Sequence, residues 1–457
     1  MSKNQFSQWA SQSHAGRIVL LGLLILVLQI PVNSIEGLVF ERKATETRAA
    51  AEVQQKWGQE QRLIGPLLVI PYQEKRHWQD AFSGVKETKI DIKHAVFLPE
   101  DFNATNQLIS ETRYRGIFEV PLYQATVTLT GHFAKPRFAE WDIKNEDVLW
   151  DKARLVVMVS DARAIQKQAT MNWNGADYVF KPGTDKITLS NAGYHVDLTN
   201  FKAGANRNPF SIQLLLNGSK SIYVAPVGKD SQIKVSAPWP DPSFQGNWLP
   251  TSRQVNPDGF NTQWRIPYLG RNFPQQTLSY ESIHEKVNSS LVGVDLISPI
   301  DNYRMTERSI KYEILFLFLT FTAIWLIEVM AKLRVHVMQY LFIGTGLCTF
   351  YLLELSLSEH VGFYWAYGIA TTAIVTMIAA YSYVVLRTGK RAAIIGGSLS
   401  ALYLYLFTLL QEQNYALLIG SVSLFAMLAI VMYITRHIDW FNMMQLPVSK
   451  TETAEQA

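Results

Sequence analysis

Cysteine is nearly absent: the sequence holds one, Cys348, inside an apolar run. No intrachain disulfide can form, so any folded part outside a membrane must be held together by its own core. A segment of about 270 residues can manage that, because the fraction of surface buried rises with chain size. The lack of cystines suits a bacterial periplasm and would be unusual in a eukaryotic ectodomain. Also missing are a GxSxG elbow, an HExxH pair, a Walker A loop, a GxGxxG fingerprint and any cysteine-rich metal motif. Those absences remove the most easily read enzymes and point to no cofactor, no metal ligand and no catalytic residue. Charge is close to balanced, +4 overall, with no concentration of Lys and Arg, which argues against a nucleic-acid partner. There is no internal repeat, no heptad run and no low-complexity segment apart from the polar tail after Lys450.

What is present is apolar residue in quantity, 48% of the chain, unevenly placed. Most of the region after Tyr312 is hydrophobic, whereas Glu41 to Lys311 has the mixed composition of a soluble domain. Six stretches are long enough to cross about 30 Å of hydrocarbon, which takes roughly 20 residues of helix. They run near Ile18–Val39, Tyr312–Met330, Val337–Leu357, Val361–Leu386, Ala392–Leu410 and Ala416–Ile434. The first has a short uninterrupted core, Ile18 to Ile30, followed by Pro31, and Val32-Asn33-Ser34 could pass for a signal-peptidase site. A cleaved signal peptide is therefore the alternative to a retained helix; either way the segment after it ends up outside.

Basic residues in short loops set orientation. Lys3 and Arg17 precede the first span; Lys332, Arg334 and His336 follow the second; Arg387, Lys390 and Arg391 follow the fourth; Arg436 follows the last. The other loops, Ser358-Glu359-His360 and Gln411-Glu412-Gln413-Asn414, carry acid and no Lys or Arg. All agree with cytoplasmic termini and residues 41–311 in the periplasm.

Within that outer part, Glu41 to Arg62 is rich in good helix formers and predicts a polar helical stalk. From Leu63 the pattern changes to period-two alternation, as in Lys89–Lys93, Thr126–Thr130 and Gln232–Ser236, the mark of half-buried strands. Turn signals separate them at Leu98-Pro99-Glu100-Asp101, Lys181-Pro182-Gly183, Asn217-Gly218 and Pro257-Asp258-Gly259. Many strands with short polar breaks suggest a sandwich of antiparallel sheets.

Four groups of residues are candidates for chemistry. Ser160, Asp161 and Arg163 follow the apolar strand Leu155–Val159, and with His132 or His195 a Ser/Asp pair could form a nucleophilic constellation. Strand-end turns use the same residues for local backbone bonds, the plainer reading. Eight of the twelve tryptophans (Trp57, Trp78, Trp141, Trp150, Trp173, Trp239, Trp248, Trp264) fall in the outer part. Large aromatics mostly build cores, but rings displayed by the proline-rich segment Trp239-Pro240-Asp241-Pro242-Ser243-Phe244 could stack on glycan, with Trp239 and Phe244 as contact residues. In the membrane, Glu354 lies one turn inside the outer end of the third span, where intramembrane carboxylates often line ion paths; shallow depth would let it reach headgroup water. Glu328 is close to Lys332, so a local ion pair accounts for it. Thr372, Thr376 and Ala380 form a small-residue ridge for helix packing, and Tyr364, Trp365 and Tyr367 read as an interfacial belt.

Several segments resemble the CreD family of bacterial inner-membrane, cell-envelope integrity proteins. They are Gly65-Pro66-Leu67-Leu68-Val69-Ile70-Pro71-Tyr72, Arg115-Gly116-Ile117-Phe118-Glu119-Val120-Pro121-Leu122-Tyr123, Ser160-Asp161-Ala162-Arg163 and Trp239-Pro240-Asp241-Pro242-Ser243-Phe244-Gln245-Gly246. Further along come Lys311–Phe316, Gln339-Tyr340-Leu341, Phe350–Leu353, Ser356–His360 and Tyr433–Trp440. Together they span nearly the whole chain. Two departures stand out: Gln413-Asn414 replaces an acidic pair usual in the family, and Glu313 stands where the family keeps a small residue. The resemblance implies an envelope protein made under a two-component stress regulon and linked to colicin tolerance and β-lactam response. It supplies no catalytic residues.

The expected architecture is an α+β membrane protein. A cytoplasmic tail and first transmembrane helix (1–40) lead into the stalk (41–62) and a sandwich-like, β-rich periplasmic domain (63–311). A five-helix C-terminal transmembrane bundle (312–435) and a cytoplasmic tail (436–457) complete it. The expected function is support of envelope integrity by non-enzymatic binding or signalling through the outer domain. Partners would be membrane lipids and cell-wall glycan or a periplasmic or inner-membrane protein. The alternatives are a transporter or lipid-handling protein using the bundle, and a hydrolase using Ser160.

Overall fold

The computed structural model describes residues 14–79, 86–184, 192–199, 201, 203–296, 301–331, 333–412 and 415–436. The basic residues Lys3 and Lys332, the Gln413-Asn414 pair and the tail from 437 onward lie outside them. Helix and sheet are mixed. The chain divides into two compact units, Met1–Glu46 with Ile300–Ala457, and Thr47–Pro299.

The unit Thr47–Pro299 holds two sheets. Along the first, the order is Pro242–Gly246, Val292–Leu296, Ser221–Val224, Gln61–Gln79, Arg154–Val159, Gly193–Asp197 and Lys181–Pro182, with Lys86–Phe97 also on Gln61–Gln79 and Gln276–Thr277 beyond it. Along the second, it is Ser252–Asn256, Gly259–Pro267, Asp230–Ala237, Asp101–Arg115, Phe118–Ala134, Arg207–Ser219, Thr170–Trp173 and Ala176–Val179. The expectation of a sandwich of antiparallel sheets needs correcting in two pairings. Gln61–Leu63 runs parallel to Ile222–Val224, and Asp230–Ser236 parallel to Asp101–Gln107. In both cases more than a hundred residues separate the partners, ample for the crossover that parallel pairing requires.

Alternation buries Val127 and Leu129, and Ile233 and Val235, as their period predicts. These residues of the second sheet share one core with Leu67, Val69, Val156 and Val294 of the first. Each such side chain contributes roughly 1.5–3 kcal/mol on burial. Ile90 and Ile92 are different: both are more than half exposed, because their part of the hairpin Gln61–Gln79/Lys86–Phe97 extends past the core. Asn217-Gly218 is no turn either. Both lie inside the strand Arg207–Ser219, and a Cβ on Gly218 would sit 2.3 Å from the Tyr123 ring. Glycine is there to let that ring approach.

Helix α1 (His14–Trp57) is continuous through Pro31. It ends earlier than the expected stalk, since Gln61 and Arg62 already belong to a strand. Gly58 makes the break at φ +154°, with no room for a Cβ beside the Asn217 carbonyl. Helix α2 (Glu281–Ser289) covers the sheets' core with Ile283 and Val287. The other unit contains α3 (Asn302–Ile310), α4 (Glu313–Met330), α5 (Val337–Val361), α6 (Phe363–Leu386), α7 (Gly389–Gln411) and α8 (Ala416–Thr435). Among the described residues five helices, α1 and α4 to α7, are long and apolar enough to cross a membrane. In α8, the sixth expected span, the described apolar stretch Leu418–Tyr433 is shorter.

Candidate functional site

The helical unit is organised by α1 and α5, which run parallel. At one end Arg17 pairs with Glu328 of α4, and Arg17, Glu328, Arg334, His336 and Tyr340 line a common cavity of about 310 Å³. Midway, a Cβ on Gly344 would strike Leu28 Cδ1 at 2.3 Å, and the Cys348 thiol lies 3.9 Å from the Leu28 carbonyl. At the far end the Arg42 guanidinium grips Glu359 with two bonds, 2.6 and 2.8 Å. A planar fork on a carboxylate is the strong form of such a pair. The first helix is thus an integral member of the helical unit rather than one set apart from a C-terminal bundle.

Small residues bring α6 and α7 close as well, but not the expected ones. Thr372, Thr376 and Ala380 are exposed; the packed stripe of α6 is Ala366, Ala370, Ile374, Ile378 and Ser382. Between α6 and α7 close approach comes from Gly396 against Ala379, and Gly346 of α5 makes the same approach to α6 against Met377. Tyr364 and Trp365 are exposed, as a belt requires, whereas Tyr367 is buried and donates to the Tyr403 carbonyl at 2.6 Å. Glu328 finds its partners in Arg17 and the Tyr340 hydroxyl (3.0 Å), reached across helices rather than in its own turn; Lys332 lies outside the described residues.

Glu354 is not open to headgroup water. It is wholly buried, because α3 lies over it. Asp301 caps α3 by accepting from Arg304 N, and three bonds tie the helix down: Asn302 Nδ2 to Ser358 O (3.2 Å), Tyr303 OH to Glu359 (2.7 Å) and Arg308 Nη2 to Leu409 O (3.1 Å). The buried face of α3 places Ser309 beside Glu354. Tyr351 is buried within electrostatic reach of Glu313, Glu354, Tyr367 and Tyr403. Glu313 is buried and accepts from Gln29 Nε2 of α1 at 2.8 Å. Sequence reasoning placed Glu313 at a span boundary and passed over Gln29 and Tyr351. The available signal was a polar side chain inside each apolar window.

In the sheet unit, Ser160 and Asp161 are committed to backbone. The Ser160 hydroxyl donates to Glu60 O and accepts from Arg62 N at 3.0 Å, closing the start of a strand. Asp161 accepts from Arg163 N and Nε, both at 3.1 Å, and from Gln59 N at 3.4 Å. Burial alone would raise its carboxyl, but these donors outweigh that and hold it below the ordinary Asp range. The histidines are engaged elsewhere, His132 with Asp101 and His195 with Gly183 O. The structure therefore does not bring either to Ser160.

Trp239 and Phe244 are half-buried against the core rather than displayed. Phe244 sits on the strand Pro242–Gly246 and meets Phe260 and Trp264 edge-on at 6.0 and 6.1 Å. A polar feature lies nearby instead: an open cleft of about 440 Å³ lined by Ser236, Gln254, Asn256, Asp258 and Asn261 with Leu108. Amide and carboxylate groups on a shallow surface suit a polyhydroxylated or peptide ligand. No group of three or more His, Cys, Asp or Glu able to hold a metal occurs among the described residues.

The model of the family described as inner membrane protein CreD matches residues 13–441. The inner membrane protein CreD of Escherichia coli K12 is 30% identical over 433 residues, covering 94% of this chain and 95% of that protein. Among solved structures, an M1 zinc metallopeptidase of Deinococcus radiodurans aligns with 43% of this chain and 42% of its own at 11% identity and a TM-score of 0.21. That likeness is too slight to bear on fold or chemistry.

Proposed function

The chain belongs to the CreD family of inner membrane proteins, and from that premise we propose that it supports the integrity of the cell envelope by non-enzymatic binding, with the two-sheet unit outside the membrane. One observation carries the reading. The helical unit has a basic end, Arg17, Arg334 and His336 around one cavity, and an opposite end where Arg42 and Tyr303 meet Glu359. Basic loops stay in the cytoplasm, so the chain leaving α1 beyond Arg42 enters the periplasm and carries residues 47–299 there. The stapled Ser160 and Asp161 favour binding over hydrolysis, and the amide-lined cleft offers a place for a cell-wall glycan or a periplasmic protein segment.

The test uses the single thiol. In a Cys348→Ser background, Asn256→Cys places a thiol at the exposed cleft and Arg436→Cys one past α8. A membrane-impermeant maleimide applied to intact cells should label the first and reach the second only after lysis. The reverse pattern refutes the reading. With sidedness established, Asn256→Ala combined with Asn261→Ala should abolish protection against an envelope challenge in a strain lacking the protein, at unchanged protein level. Full protection would remove the cleft from the function. A second reading, transport or lipid handling by the helices, draws on the buried carboxyls alone.

A further inference from the structure

Four carboxyls stand in or at the edge of the helical unit's interior, and they are treated in two ways. Glu328 has Arg17, and Glu359 has Arg42 and the Tyr303 hydroxyl. Glu354 and Glu313 have no arginine or lysine partner among the described residues. Neither oxygen of Glu354 makes a hydrogen bond of good geometry among the described residues; Glu313 spends one oxygen on Gln29 and leaves Oε1 without a partner. A second observation is independent of the carboxyls. The hydroxyls of Tyr351 and Ser309, both buried, also make no hydrogen bond of good geometry among the described residues, and they lie within the same cluster.

Such an arrangement is costly as a scaffold. An unpaired ionised carboxylate taken out of water costs several kcal/mol even after relaxation. An orphaned buried hydroxyl costs roughly 1–3 kcal/mol more. Helix packing would be served better by leucine at these positions. Ionisable groups kept in a membrane interior at such cost mark ion or proton paths. Ser309 of α3 lies beside Glu354, and Tyr351 on its own helix, Tyr367 of α6 and Tyr403 of α7 are near enough to interact with it electrostatically, as Glu313 of α4 is with Tyr351. None is cationic. Among the described residues no group of three or more His, Cys, Asp or Glu gathers here, and a proton is the simplest charge that two carboxyls and neighbouring hydroxyls take up.

We propose that Glu354, with Glu313 and the hydroxyls of Tyr351 and Ser309, forms an intramembrane proton-binding site roofed by α3. One proton taken from water neutralises the Glu354 carboxylate, and the acid can then donate to a neighbouring oxygen. When α3 shifts, the proton returns to water and the carboxylate is restored. The short roof helix α3 follows the two-sheet unit in the chain. The proposal does not rest on the envelope-binding reading and stands or falls separately.

The experiment is infrared difference spectroscopy on the full-length protein in liposomes, stepped in pH at constant salt. The expected result is a protonated-carboxyl carbonyl band at neutral pH that shifts in heavy water and is lost in Glu354→Gln. Glu313→Gln should keep the band and move its midpoint by about one pH unit, the coupling expected of interacting sites. A wild-type protein without the band, a band that survives Glu354→Gln, or one that never shifts in heavy water would each overturn the proposal. So would a band erased by sodium at fixed pH, which would mean a cation site. Should Glu354→Gln fail to insert, a hydrophobic carbodiimide on the wild-type protein decides instead. An adduct on Glu354 that declines with rising pH is expected, and adducts confined to other carboxyls overturn the idea.

Discussion

Replacing Gly218 by alanine should destabilise the two-sheet unit by about 2–6 kcal/mol, although the backbone there is ordinary strand. An alanine Cβ would lie 2.3 Å from Tyr123 Cζ and from its hydroxyl, and 2.6 Å from Cε2. The ring cannot step aside freely. Tyr123 is fully buried, its hydroxyl donates to Ser221 O at 2.7 Å, and its own carbonyl accepts from Trp57 Nε1 at 3.2 Å. Overpacking a filled core costs roughly 1–3 kcal/mol. Pulling the hydroxyl off Ser221 O leaves a buried acceptor bare, about 1–3 kcal/mol more. In a unit of this size each kcal/mol is worth roughly 2–4 °C of melting temperature.

Scanning fluorimetry of the full-length protein in detergent reads that loss, and a cycle with Tyr123→Phe isolates its cause. With the hydroxyl removed the ring is released, so Gly218→Ala should cost clearly less in that background than in wild type. A Gly218→Ala protein melting within a degree of wild type would refute the packing argument. Equal costs in both backgrounds would show that the loss has some source other than the Tyr123 hydroxyl.

Two further outcomes follow from the charged groups. The carboxyl of Asp197 is held low, first by its bond from Lys181 and then, against the opposing pull of burial, by Arg154; Asp161 is held low as well. A depressed carboxyl stabilises the fold fully above its unfolded value, about 3.9, and the benefit is lost as pH falls through the folded value. Acid melting curves of the full-length protein should therefore fall below about pH 4, less steeply in Asp197→Asn, and identical slopes would refute the assignment. In the helical unit, Glu354→Met should raise thermal stability, since replacing an uncompensated buried group by an apolar one of similar volume often gains about 1–4 kcal/mol. A lowered melting temperature with intact insertion would mean that Glu354 has a structural partner.

The mixed helix-and-sheet composition and the apolar helices were legible because burial imposes a period on the residues that carry it. Ile233 and Val235 point inward because the strand Asp230–Ala237 lies across the core for its whole length. Where a strand outruns the core the same period misleads, as at Ile90 and Ile92. Asn217-Gly218 misled for a different reason. Glycine is asked for both by left-handed turns and by close approach, and sequence alone does not distinguish them. On α6, small side chains suggested an interface, yet the larger Ile374 and Ile378 form it, because glycines on the neighbouring helices provide the space. The depth of Glu354 was hidden because the element covering it, α3, is short and polar enough to pass for a linker.

The candidate site follows from which acids the fold compensates. In the sheet unit, Asp161 and Asp197 sit beside arginine, and their charges support the fold. In the helical unit, arginines on α1 reach Glu328 and Glu359 at its two ends and leave the carboxyls between them without a counter-charge. Both arginines are on one helix, so a further basic residue on the inward face of α1 would have been the simplest way to neutralise Glu313. That position holds Gln29, which is neutral and bonds only one of the two oxygens. A helix that supplies cations to its ends and an amide to its middle keeps the interior charge variable, and a variable charge can be set by a proton.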